Sequence, residues 1–178
     1  QAKTLFPYTT LFRSSLHQMI IDKGSQDQVY GGQPVFDAFG VMGQVVDVSH
    51  GVSRVLLLTD LRSAIPVENY RTGLRAIVVG TGDNNTLQAV NVSVLADVRP
   101  GDLFITSGYG GRFPRGYPVA VVSKVKKEID KEFLDITLVP SAHLDQTQRV
   151  LLVWPSQLKL HDQVEQLLNQ QLPTPGRL

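Results

Sequence analysis

The chain has 178 residues, with 17 Lys and Arg against 16 Asp and Glu, no Cys, and 42% hydrophobic against 19% charged residues. That length supports one or two domains with a buried core, and the lack of Cys excludes a disulfide scaffold, a zinc ribbon and a thiol nucleophile. A net charge of +1 makes no case for a nucleic-acid partner, and no stretch approaches the roughly 18 consecutive apolar residues of a membrane-spanning helix.

Thr4 to Ser14 reads TLFPYTTLFRS, which resembles the in-frame translation of a short-read sequencing adaptor over all eleven positions. Residues 1–14 are therefore expected to stand outside the fold. Any signal or membrane anchor before Ser15 is not legible from them.

From Leu16 onward, short apolar runs alternate with Gly, Pro, Asn and Asp. Strands are expected at His17–Asp22, Gln33–Phe36, Val41–Val48, Ser53–Thr59, Ala64–Glu68 and Leu74–Val79. A second group follows at Leu87–Val92, Asp102–Thr106, Val119–Lys127, Phe133–Val139 and Arg149–Val153. This even spacing with turn signals argues for an all-β barrel or sandwich, and no helix-period segment interrupts it to suggest a parallel sheet. Asp83-Asn84-Asn85-Thr86, a polar turn between the two groups, is the expected domain boundary. It gives a first barrel over 15–85 and a second over 86–147.

Arg99-Pro100-Gly101-Asp102 suits a type II turn, because Pro presets φ at the first central position and Gly accepts positive φ at the second. In Tyr117–Ser141, Val119, Val121 and Val125 are expected on a core face opposite Lys124 and Lys126. Leu134, Ile136 and Leu138 face the core from the next strand, and the polar stretch between is the hairpin loop. The tail, 156–178, holds a short amphipathic helix with Leu160, Val164, Leu167 and Leu168 on one face, stopped by Pro173 and Pro175. It either packs on the body or binds a partner.

Catalytic patterns are not found. His17, His50, His143 and His161 lack metal-ligand spacing. Gly108-Tyr109-Gly110-Gly111 carries Phe113 where a phosphate loop needs its third Gly. Thr106-Ser107-Gly108 lacks the preceding Gly of a nucleophile elbow. No catalytic residue, metal or cofactor is expected. Lys124, Lys126, Lys127 and Lys131, with Arg112 and Arg115 upstream, form a basic stretch. It reads either as a solvated strand protecting a sheet edge or as a surface for an acidic partner or wall polymer.

The run from Val98 to Val122 closely resembles the rod shape-determining MreC family. That family carries a P-G-D turn followed by T-S-G-x-G-G-x-F-P-x-G-x-P-V-A. Here those positions are Pro100, Gly101, Asp102, Thr106, Ser107, Gly108, Gly110, Gly111, Phe113, Pro114, Gly116 and Pro118, ending in Val119-Ala120. Gly32–Val35, Gly40–Val45, Ser53–Asp60 and Ala64–Val67 continue the likeness. The resemblance implies two small six-stranded β-barrels in tandem, with the last strand (residues 148–155) returning to the first barrel. It further implies a non-catalytic scaffold on the periplasmic side of the inner membrane, anchored by an N-terminal helix. The implied partners are a class B penicillin-binding transpeptidase, MreD and the MreB-linked elongation complex, with homodimerisation through a coiled coil that this chain lacks.

Two expectations about surfaces accompany that resemblance. The Gly108–Pro118 loop is expected to serve the barrel's architecture, with Phe113 packing inward and Pro114 and Pro118 setting the path into the next strand. Val35, Phe36 and Phe39, apolar residues beside a turn, are expected as an exposed partner surface.

Overall fold

The computed structural model describes residues 17–127, 131–147 and 149–154, together with the backbone of Lys3–Leu5. The strands are β1 (Lys3–Leu5), β2 (Gln18–Ile21), β3 (Pro34–Phe36), β4 (Val41–Val48), β5 (Ser53–Leu57) and β6 (Ala64–Asn69). They continue with β7 (Arg75–Asp83), β8 (Thr86–Val90), β9 (Leu103–Thr106), β10 (Pro118–Lys126), β11 (Asp135–Pro140) and β12 (Val150–Leu152). The only helical element among the described residues is a 3-10 turn at Ser25–Asp27. The expected tail helix lies outside the described residues.

The strands form two antiparallel assemblies. One is an open sheet ordered β1-β12-β3-β4-β5-β2, and the other a closed barrel ordered β10-β11-β8-β7-β6-β9. A single closed barrel and an open six-stranded sheet thus stand where two barrels were expected. Closure removes both edges of the barrel, which is how so small a sheet protects its backbone from adventitious pairing.

The domain boundary is not where the polar turn suggested. Asp83 and Thr86 are register partners closing the β7–β8 hairpin, with the Asn85 amide donating to Asp83 Oδ1 at 2.8 Å. A polar two-residue turn closes a hairpin as readily as it ends a domain. The chain passes from sheet to barrel through residues 58–63. There Asp60 accepts from the Arg62 amide and Nε, both at 2.9 Å.

Strand β12 comes back to the first sheet, where Leu151 and Leu152 pair with Phe36 and Val35. Gln33 Nε2 donates to the Val153 carbonyl at 3.2 Å, and Trp154 Nε1 to the Gln28 carbonyl at 2.9 Å. On its other side β12 pairs with β1, so three residues expected outside the fold sit on a sheet edge. Backbone pairing of this kind needs no particular side chains.

Alternation in β10 is shifted relative to expectation. Val119, Ala120 and Val122 are buried, whereas Val121 is exposed. The register slips between Pro118 and Ala120 against β9, and between Val122 and Lys124 against β11. Each bulge inserts one residue and reverses which face follows. The partner strand β11 keeps strict alternation, with Ile136 and Leu138 fully buried.

Two cores result. Met19, Ile21, Val35, Met42, Val45, Val55 and Leu152 pack in the open sheet. Ile65, Val67, Val78, Leu87, Phe104, Val122, Ile136 and Leu138 fill the barrel, joined there by Phe36 and Val41 from the first sheet.

Candidate functional site

The segment with the densest sequence signal forms one end of the barrel. The Asp102 amide donates to the Arg99 carbonyl at 3.1 Å, and Gly101 has φ +91°, as a type II turn requires. The turn presents the Asp102 carboxylate inward. Oδ2 accepts from Asn69 Nδ2 at 2.8 Å, from the Arg99 amide at 3.0 Å and from Arg71 Nη2 at 2.7 Å, while Oδ1 accepts from Arg71 Nε at 2.8 Å. Arg71 also reaches Asp97 Oδ2 at 2.7 Å, and Arg99 Nε reaches Asp97 Oδ1 at 2.9 Å. The Arg71 guanidinium holds the Asp102 carboxyl far below the usual carboxylate range, and Arg71 itself is pushed up in return. Asp97 is lowered too, chiefly by Arg71 and then Arg99. Asp102 is legible in the sequence as the end of its turn, whereas nothing local signals Arg71, which ties it to Asp97.

Beyond β9 the chain makes an eleven-residue excursion, residues 107–117, before β10. Gly108, Gly110, Gly111 and Gly116 all have positive φ. Thr106 organises the return: its Oγ1 donates to the Pro114 carbonyl at 2.5 Å and accepts from the Tyr117 amide at 2.9 Å. Ser107 Oγ donates to the Pro66 carbonyl at 3.1 Å, and Arg115 forks onto Glu68 at 2.8 and 3.1 Å. Phe113 is buried in the barrel core. Thr106, Ser107 and Arg115 thus hold the loop's shape and bind it to β6.

That geometry makes a first prediction. Gly111 has φ +67° and open space where a Cβ would project, so substitution there strains only the backbone. Gly111→Val should destabilise the protein by about 1–2 kcal/mol, while Gly111→Asn, which tolerates the left-handed region, should cost much less. Urea titration of both variants checks it, and equal losses would contradict the backbone argument.

The expected partner surface needs correction. Val35 is fully buried in the open-sheet core, and Phe36 is buried in the barrel core with its ring centroid 4.6 Å from that of Tyr117. Both precede a turn, but β3 is flanked by β4 and β12, so its apolar residues are covered. Phe39 alone of the three is exposed, at 54%, and it lies 4.2 Å from the His143 ring. The turn that displays it is built by Asp37, whose Oδ1 accepts from the Phe39 and Gly40 amides at 2.7 and 2.8 Å. Its Oδ2 accepts from the His143 amide at 2.7 Å. Sequence reading missed Asp37, although an Asp three residues before a Gly is a recognisable turn signal.

Lys124, Lys126, Lys127 and Lys131 are exposed. Lys126 stands opposite Asp135 in the β10–β11 register. Arg115 is held by Glu68 instead of extending this basic stretch, and Arg112 lies on the far loop, against the first sheet.

A family model described as "Rod shape-determining protein MreC, barrel core" matches residues 11–154. The cell shape-determining protein MreC of Haemophilus influenzae is 43% identical over 159 residues, covering 89% of this chain and 44% of that protein. The chain therefore spans less than half the length of that relative. The crystal structure of MreC from Pseudomonas aeruginosa, 44% identical, covers 86% of this chain and 99% of its own, with a TM-score of 0.83. A solved complex between a penicillin-binding protein, PBP2, and MreC from Helicobacter pylori shares the fold at 17% identity and a TM-score of 0.62, covering 85% of this chain and 96% of that one.

Proposed function

The chain belongs to the MreC family of rod shape-determining proteins, and from that premise we propose that it is a non-catalytic scaffold of the cell-elongation machinery on the periplasmic side of the inner membrane. In this role it organises and activates peptidoglycan synthesis by contact with a class B penicillin-binding transpeptidase. MreD and the MreB-linked complex are its further partners, and a coiled coil outside this chain makes the dimer. The match across the barrel core carries the reading. The Helicobacter pylori complex of PBP2 with MreC indicates the kind of partner. A rigid body with loops held by their own hydrogen bonds suits a docking scaffold, since little ordering entropy is lost when a partner binds.

Phe39 is the residue of the proposed contact surface that a partner can reach. Phe39→Asp should leave the melting temperature nearly unchanged and weaken capture of the cognate transpeptidase's periplasmic region at least about tenfold, the loss expected of a truncated aromatic anchor. The measurement is a pull-down at low and high salt with purified glycan strands as competitor. Capture that survives high salt supports an apolar protein contact. Salt-sensitive glycan binding without transpeptidase capture would instead favour a wall-polymer module using Lys124, Lys126, Lys127 and Lys131. Unchanged capture by a folded Phe39→Asp protein would remove Phe39 from the interface.

A further inference from the structure

A cleft of about 500 Å³ opens between the two assemblies, with Tyr30, Gly31, Gln44 and Val46 on the open-sheet side and Gly111 and Arg112 on the barrel loop. That volume lies within the range of small-ligand sites. Among the described residues the other arginines are engaged. Arg54, Arg62, Arg71, Arg99 and Arg115 each hold a carboxylate, Arg75 lies over the Tyr109 ring, and Arg149 has a partner of its own. Arg112 has no such partner, and no Asp or Glu among the described residues lines the cleft it borders. Its charge therefore faces the cleft uncompensated.

Other groups lining the cleft are also unspent. Among the described residues, neither the Tyr30 hydroxyl nor the Gln44 carboxamide makes a hydrogen bond. Burial pushes the Tyr30 hydroxyl upward and keeps it a neutral donor. A partly desolvated polar group without a partner is costly, and a ligand that satisfies it recovers that cost. Gly31, Gly32 and Gly111 supply walls without side chains, so a ligand can approach the backbone closely. Val46, exposed beside them, adds an apolar surface.

We infer that this cleft is a binding site for a short peptide bearing a free carboxylate, with Arg112 as the anion anchor. The guanidinium fork matches a carboxylate bidentately. A single cation suits a monoanion better than a phosphate dianion. Gln44 can accept from and donate to a peptide amide, which a simple inorganic anion does not offer. The choice of a wall stem peptide as the source rests on the scaffold reading above, whereas the site itself rests on the cleft.

The test is calorimetric titration of the full chain with a soluble stem tetrapeptide, the same peptide with its carboxylates amidated, and inorganic phosphate. Two variants accompany it. Arg112→Ala removes a side chain that holds nothing in the fold, and Gly31→Leu projects into open space without a positive φ to strain it, so both should melt with the parent. The expected result is at least a tenfold weakening by either variant and by amidation, with phosphate binding far weaker than the peptide. Three outcomes would overturn the proposal: no binding of the tetrapeptide, equal binding by folded Arg112→Ala, or phosphate binding as tight as the peptide. Transpeptidase capture by the same proteins separates the two readings. Peptide binding that persists where capture fails in the parent protein would retain the cleft and refute the scaffold contact.

Discussion

Asp102→Ala is expected to lower the melting temperature by about 5–10 °C and to flatten the acid side of the stability profile. The carboxylate is nearly inaccessible and accepts from the Asn69 side chain and the Arg99 amide as well as from Arg71. Its removal leaves the two neutral donors without partners, at about 1–3 kcal/mol each. In a chain of this size each kcal/mol moves the midpoint by about 2–4 °C. Arg71 is partly exposed and can be rehydrated, so its release adds less than a dry ion pair would. Because the folded carboxyl is held below its unfolded value of about 3.9, its stabilisation is complete above pH ~4 and is lost as pH falls through the folded value. Between pH 5 and pH 2 the parent should therefore lose more stability than the variant. Asp60 and Asp97, also lowered by arginines, keep part of the slope in both proteins. Denaturant titrations at pH 7, 4 and 2.5 measure it, and parallel profiles for the two proteins would show that Asp102 is not the linked group.

The same residue marks how far the sequence could be read. Pro100 and Gly101 announce their turn locally, and Gly101 adopts the φ of +91° that the turn demands. Phe113 likewise packs inward as expected. Arg71, which lies 31 residues from Asp102, has no local signature that couples the two. The strands show a similar division. Each expected apolar run corresponds to an observed strand, because burial of one face imposes alternation. Which strands pair is a non-local question, so the closure of β6 onto β9 and the hairpin at Asp83 and Thr86 were not legible. The bulges of β10 were hidden for a related reason. Val121 has the apolar character of its neighbours, and only the register against β9 and β11 turns it outward. Phe36 was misplaced because a hydrophobic residue beside a turn is equally consistent with a surface anchor and with a residue inserted into a neighbouring core.

That insertion makes the second large effect. Phe36→Ala is expected to cost about 3–5 kcal/mol, as truncation of a fully packed aromatic does, and to lower the main melting transition by about 10 °C. Its special consequence concerns cooperativity. Phe36 belongs by sequence and pairing to the open sheet, between β4 and β12, yet its side chain packs in the barrel core against the Tyr117 ring. Around it the seam is close. A Cβ on Gly40 would lie 2.5 Å from the Pro118 carbonyl oxygen, and Asp37 reaches across to the His143 amide and Thr147 hydroxyl at 2.7 and 3.2 Å. Polar contacts at such a seam align the two assemblies, but the apolar area that links their stabilities is largely supplied by Phe36, Val41 and Leu58. The parent protein should unfold in one calorimetric transition whose van't Hoff and calorimetric enthalpies agree. In Phe36→Ala the transition should broaden or divide, the open sheet melting before the edge-free barrel. Phe39→Ala, three residues away on the exposed turn, should leave a single transition near the parent temperature. If Phe36→Ala shifted the midpoint while remaining one sharp transition, the coupling would reside in the Asp37 hydrogen bonds, and Asp37→Ala would be the variant that divides it.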